Sequence, residues 1–460
     1  MGEWRQVRIG DFLHRVKKPV KLLDDEPYKL VTVKMHHNGV VLRELKKGKL
    51  IGSNMYRVKP GQFILSGIDA RHGAFGVIPE QLDCAIVTND FWYFDIDEAV
   101  VSRDFFLWLT TTPLFLDACI KSSEGTTNRR RLQGDKFYNF EFHFPEISEQ
   151  QRLAKKFNSL DAAYAGIKDE FEQQSEYLKL LSQAVLQDAV EGKLTAKWRK
   201  QNPVVKGDMQ YDAATLLAQV KAEKERLVKE GKLRKEKPLP PIADGDKPFN
   251  LADGWVWCRL GEVADGFQYG SSTKSIKYGK FPVLRMGNIQ GGQIDWTDLV
   301  YTNEEDEAKK YRLTKGDLLF NRTNSRELVG KTGLFDGQRE AIFAGYLVRV
   351  SMLGKISPNY SNFVLNSKHH REWCNENKTD ALGQSNINAT KLRDFLFPLP
   401  PLAEQQAIVT RVDSLMAAID ELEKQVADRK EQAQMLMQTV LREAFEQDKS
   451  SHAAEQIGTL

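Results

Sequence analysis

The sequence has no long apolar run, no spaced cysteines and no strong excess of either charge. Its longest mostly apolar stretch, Phe105 to Leu116, is broken by three threonines and Pro113, well short of the roughly 20 residues a membrane helix needs. No membrane span is expected. The four cysteines, Cys84, Cys119, Cys258 and Cys374, stand apart from one another, so the paired spacing of a zinc site or redox motif is missing, and buried thiols in a reducing compartment are expected. Two adjacent histidine pairs, His36-His37 and His369-His370, point in different directions on any regular element and do not converge on a metal. Surface or loop positions are expected for both. Met1-Gly2-Glu3-Trp4-Arg5 has no apolar core behind a basic start, so no secretory leader is read and the cytoplasm is the expected location. A net charge of +3 is too small to argue for a nucleic-acid partner by itself.

Catalytic signatures are equally sparse. Gly330-Lys331-Thr332 ends like a phosphate loop, but Ser325 stands where the first glycine would be, so the backbone cradle is missing. Asn202-Pro203-Val204 lacks the second proline and the aromatic ring of an adenine methyltransferase motif. No carboxylate cluster with a strand lysine suggests a nuclease. The chain reads as one that holds and recognises something, not as an enzyme.

What is present is a duplication. At 460 residues the chain is two to three times the usual domain size of about 150. Arg8-Ile9-Gly10-Asp11 recurs as Arg259-Leu260-Gly261-Glu262, with Trp4 and Trp255 at matching distances before each. Phe140, Phe142, Pro145 and Glu149-Gln150-Gln151 recur as Phe395, Phe397, Pro400 and Glu404-Gln405-Gln406, and the register then holds through Ser159/Ser414, Ala162/Ala417 and Glu191/Glu446.

After each glutamine pair apolar residues step by alternating fours and threes. The first copy gives Leu153, Phe157, Leu160, Tyr164, Ile167, Phe171, Leu178, Leu181 and Val185. The second gives Ile408, Val412, Leu415, Ile419, Leu422, Val426, Ala433, Leu436 and Val440. A narrow stripe sustained over about six heptads predicts a coiled-coil seam between two helices, each about 60 Å long at 1.5 Å per residue. A polar residue interrupts each seam at the equivalent place, Gln174 and Arg429, which also suits a parallel register; an antiparallel pair keeps the connection short and is favoured. The alternative is two amphipathic helices, each packed on its own domain.

The expected organisation is α+β: mixed α/β domains over residues 1–148 and 249–403, helices over 149–195 and 404–448, a basic linker over 196–248 and a polar tail over 449–460. Strands are read at Lys29 to Met35, Gln62 to Leu65, Ala85 to Val87, Phe91 to Phe94, Phe281 to Arg285, Asp317 to Phe320 and Ala341 to Val350, with a helix at Ser102 to Leu109. The linker holds a helix, Ala213 to Glu230, and a proline-punctuated basic run; a solvated arm is expected, docking on a partner being the alternative.

Polar, arginine-bearing loops fall at corresponding depths in the two halves. The first half has Ser66 to Gly73, with Arg71, and Gly125 to Arg131, with Thr126, Thr127, Asn128, Arg129, Arg130 and Arg131. The second has Asn321 to Arg326, with Arg322, Thr323, Asn324 and Arg326, and Gly383 to Asn388, with Gln384, Ser385, Asn386 and Asn388. These side chains, with Arg285, are the candidate DNA contacts, because Arg pairs with guanine and Asn or Gln with adenine. Composition alone leaves solvated loops as the competing reading; the matched positions favour binding.

The chain resembles the specificity (S) subunits of type I restriction-modification enzymes. The residues that carry the likeness are Pro398 to Gln406 entering the second helix, Phe249 to Trp255 opening the second domain, and Gly192 to Arg199 (Gly-Lys-Leu-Thr-Ala-Lys-Trp-Arg) after the first helix. Leu284 to Gln290 and Gly316 to Phe320 add to them. The resemblance implies two target recognition domains in tandem, each reading half of a bipartite, asymmetric site on double-stranded DNA. It implies an antiparallel coiled coil that sets the gap, two modification (methyltransferase) subunits docked on it, and restriction (motor-nuclease) subunits. S-adenosylmethionine, ATP and Mg²⁺ would belong to those partners; no cofactor or metal is expected on this chain. Two departures stand out. The first copy reads His143 to Ser148 where the second has its proline-rich form, and no second Lys-Leu-Thr-Ala-Lys-Trp-Arg segment follows the second helix. A protein-only coiled-coil scaffold, or a half-specificity DNA-binding subunit of a related methyltransferase system, is the alternative.

Overall fold

In the computed structural model residues 4–125, 130–381 and 383–446 are described. Two compact units form: Met1–Glu172 with Ala427–Leu460, and Gln173–Val426. The duplication is visible in strand order. In the first unit Leu13–Val16, Phe91–Ile96, Phe63–Ser66 and Phe75–Val77 make an antiparallel sheet in that order. The second unit repeats it with Ala264–Tyr269, Leu347–Met352, Leu318–Asn321 and Thr332–Leu334. Phe63–Ser66 and Leu318–Asn321, each flanked by two strands, are buried along their whole length, as interior strands covered on both faces are.

Several expectations shift by a residue or two, and others fail for identifiable reasons. The run Ala341 to Val350 is two strands, Ile342–Phe343 and Leu347–Met352, because the chain turns at Ala344, where Leu347 N donates to Ala344 O at 2.9 Å. His369 and His370 are buried, not superficial: His369 Nε2 bonds the Leu396 carbonyl at 2.8 Å, and burial lowers the His370 pKa to about 3. Cys84 is exposed, whereas Cys119, Cys258 and Cys374 are buried as expected. The linker helix, Ala213–Lys229, is not a solvated arm. Ala213, Leu216 and Val220 join the core of the second unit.

A two-residue signature explains how each long helix is welded to its domain. Gln150 Nε2 donates to Pro145 O at 2.8 Å and its Oε1 accepts from Ser102 N at 2.8 Å. Gln405 repeats this with Pro400 O at 3.0 Å and Ser357 N at 2.8 Å. Both glutamines are fully buried, where an unpaired amide would be costly.

The long helices are Ile147–Val190 and Leu402–Glu446. In the first unit Ala154 and Phe157 share a core with Leu441 and Phe445. In the second unit Val185, Ala189 and Val190 share one with Ile408, Val412 and Ile419. Each unit thus holds the start of one helix beside the end of the other, the pairing an antiparallel arrangement makes and a parallel one does not. The seam is uneven. Phe157, Val185, Ile408, Val412 and Ile419 are buried; Leu153, Leu160, Tyr164, Phe171, Leu178, Leu415, Val426, Ala433 and Val440 are half-buried. Ile167, Leu181, Leu422 and Leu436 are 42–65% exposed, which corrects the uniform stripe: the buried members are those that also join a domain core.

Candidate nucleic-acid interface

In the second unit two polar loops far apart in sequence become neighbours. Thr323–Asn324 pairs antiparallel with Gln384–Asn386, and Gln384–Asn386 pairs in turn with Thr379–Ala381; Ile387 N donates to Arg322 O at 2.9 Å. The Arg322 guanidinium lies over the Tyr269 ring, 4.8 Å from its centroid. Its Nη1 and Nη2 make long bonds, both 3.4 Å, to Gly345 O and Asn386 Oδ1, while its Nε is buried without a partner. Asn386 Nδ2 donates to Thr323 Oγ1 at 2.7 Å. The corner is therefore pre-positioned by stacking and a short sheet, while Arg322 keeps weakly engaged donors that a stronger acceptor can take. The Tyr269 ring under the cation is 42% exposed, and Tyr346, whose carbonyl accepts from Arg322 N at 3.1 Å, is 51% exposed.

Other candidates in this unit have local tasks. Asn388 caps the helix Ala389–Arg393 by accepting from Lys391 N at 2.8 Å. Ser385 is buried and donates to Asp380. Arg326 is exposed, 3.9 Å from Asp380, and Gln384 is exposed at the sheet end. Arg285 bonds Asp298 through Nη2, 2.6 Å to the carbonyl and 3.0 Å to the carboxylate.

The first unit builds a comparable corner. Arg71 Nη1 donates to Arg130 O at 3.2 Å, and Leu132 N donates to Gly67 O at 2.8 Å, so the two predicted loops meet. A hairpin of Ser123–Glu124 and Arg131–Leu132 carries the second loop, and Arg131 pairs with Asp90 at 3.1 Å. Thr126, Thr127, Asn128 and Arg129 lie outside the described residues. Arg15 sits 4.2 Å over Trp92, whose Nε1 lies 3.2 Å from where a Cβ on Gly67 would be. A cation stacked on an aromatic thus marks each corner. Sequence reasoning missed Arg15, Trp92 and Tyr269, which are single strand residues with no motif around them. Among the described residues no cluster of His, Cys, Asp or Glu suits a metal ion, and no helix is long and apolar enough to cross a membrane.

The family model described as "Type I restriction modification DNA specificity domain" matches residues 1–173 and 252–431. Similar proteins include the type I restriction enzyme EcoAI specificity subunit of Escherichia coli, 28% identical over 75% of this chain and 64% of that protein. The EcoEI specificity subunit of Escherichia coli is 30% identical over 54% of this chain and 41% of its own length. The match thus spans less than two thirds of either relative. A solved chain from a type I R-M system, described under complex assembly and conformational transition, aligns with a TM-score of 0.63 at 17% identity, covering 96% of this chain and 97% of that one. The HsdS subunit from Thermoanaerobacter tengcongensis aligns at 0.51 with 16% identity, covering 97% of each. At these identities the structural likeness is one of fold.

Proposed function

Because this chain belongs to the family of type I restriction modification DNA specificity domains, we propose that it is the non-catalytic, sequence-reading subunit of a type I restriction-modification complex. Each globular half takes one half of a bipartite site on double-stranded DNA. The paired helices fix the gap and offer a docking surface to two modification subunits, which bring S-adenosylmethionine; restriction subunits bring ATP and Mg²⁺. The complex acts on DNA in the cytoplasm.

The observation that carries this reading is the repeated corner. In each unit two polar loops are brought together beside a cation held on an aromatic face, and in the second unit both Nη groups of Arg322 make only long bonds. A guanidinium so placed can grip guanine through O6 and N7, while Asn386 carries the amide that suits adenine. The test is DNA binding by the chain assembled with its modification subunits, across a salt series. Arg322→Ala is expected to weaken specific binding by about 10- to 100-fold if Arg322 reads a base, or to lower the salt slope by about one if it grips a phosphate. Unchanged affinity and slope would contradict its place in the interface; absence of any salt-dependent DNA binding would favour the protein-only scaffold.

A further inference from the structure

In the second unit the segment after the first long helix is clamped onto the start of the second. Gly192 turns the chain with φ +73°, and a Cβ there would stand 2.9 Å from Arg199 Nη1 and 3.1 Å from Trp255 Cζ2, so only glycine lets the segment fold back. Glu404, 1% exposed, then receives three donors: Trp255 Nε1 at 2.7 Å, Thr195 Oγ1 at 2.6 Å and the Arg199 guanidinium. A buried carboxylate of this kind requires such partners.

The first unit repeats the acceptor but not the clamp. Glu149 and Trp4 stand where Glu404 and Trp255 stand in the second copy. The Glu149 side chain is 33% exposed and pairs with Arg152 on its own helix. A cleft of about 530 Å³ lies beside it, lined by Trp4 and Glu149 and by the apolar side chains of Leu153, Phe157, Val440 and Ala444. That volume is in the range of about 300–1,000 Å³ typical of ligand sites. Glu146, Glu149 and Glu443 line it beside Arg152 and Lys156, so it offers carboxylates to a cationic side chain. The chain's own continuation keeps a hydroxyl, Ser450, at the Thr195 position but not the rest of the clamp: Gln447 replaces Gly192, and Ala453 and Ala454 replace Trp198 and Arg199.

We propose that this cleft is the docking site for an arginine-bearing turn of a partner polypeptide, which completes in trans the clamp that Thr195 and Arg199 complete in cis. The occupant carries a hydroxyl residue four positions before an arginine, as Thr195 and Arg199 do, and apolar side chains for the walls. A small cation would leave those walls uncovered, whereas the second unit shows the same frame closed by a polypeptide turn. The inference stands independently of how either corner meets DNA.

The probe is a synthetic peptide with the sequence of residues 192–201, titrated calorimetrically against the full chain. Saturable one-to-one binding is expected. Replacing the peptide arginine by alanine, or Glu149→Gln in the chain, should each weaken it about tenfold or more, the effect of removing one side of a charge-assisted bond. Because a short peptide binds weakly, a second variant carries residues 192–201 grafted after Glu446, where the tether raises the effective concentration to roughly millimolar. The graft should raise the melting temperature, and Glu149→Gln should erase the gain. The proposal is overturned if neither peptide binding nor graft stabilisation occurs, or if both are indifferent to Glu149. It is equally overturned if the peptide binds only once residues 447–460 are removed, since the tail would then be the occupant.

Discussion

The two halves share a central sheet and part company at its edges. In the first, the sheet stops at Phe75–Val77, and a separate five-stranded sheet runs from Pro19–Val20 to Val40–Lys47; in the second, it continues through Gln293–Ile294 to Ile289–Gln290, and a three-stranded sheet centred on Phe281–Leu284 takes the other role. The parts that match are the strand order and the glutamine weld of Gln150 and Gln405. The parts that differ are edge strands and corner loops, which diverge without disturbing the buried frame. Two surfaces that each read their own half-site, as proposed, need this division: one frame, two independently variable surfaces.

The sharpest way to break the comparison is at the paired carboxylates. Glu404→Ala strands Arg199, whose side chain is 19% exposed, and is expected to destabilise the second unit by about 3–5 kcal/mol. Glu149→Ala removes a partly exposed surface pair and should cost under about 0.5 kcal/mol. Denaturant unfolding of both variants decides it; equal losses would mean that the two sites are not built differently.

A smaller effect sharpens it. Asp265 occupies the position of His14 and lies in an irregularity between Ala264 and Gly266. Burial, reinforced by the Asp317 charge and opposed by Arg349, raises its carboxyl to about 6. Since the unfolded chain ionises near pH 4, the folded state holds this proton more tightly, so its contribution to stability is full below about pH 4 and lost as the pH rises to about 6. Asp265→Asn should flatten the stability profile across that window and gain about 1 kcal/mol at pH 7, a fraction of the full linkage because the group is partly exposed. Unfolding midpoints at pH 4 and 7 check this; a variant that keeps the wild-type slope would contradict it.

The frame was legible in the sequence for physical reasons. Heptad spacing and a repeated glutamine pair are local, periodic signals, and both long helices follow them. The corners were legible only by half. Arg322 and Asn386 carry side chains suited to bases, but their adjacency is made by a strand pairing that no local pattern encodes. Arg15, Trp92 and Tyr269 meet their partners across strands, so nothing nearby in sequence marks them. The evenness of the seam misled, because a helical stripe records which face is apolar and not how much of it a domain covers. That is why Leu436, 65% exposed, and Val412, fully buried, look alike in the sequence.

The central claim is that each half reads its own half-site. Residues 1–148 should be exchanged for the corresponding domain of a relative, and the methylated adenines mapped in DNA modified by the assembled complex. One half of the bipartite site should change, while the other half and the gap stay fixed. A change in both halves, or in neither, would contradict the account.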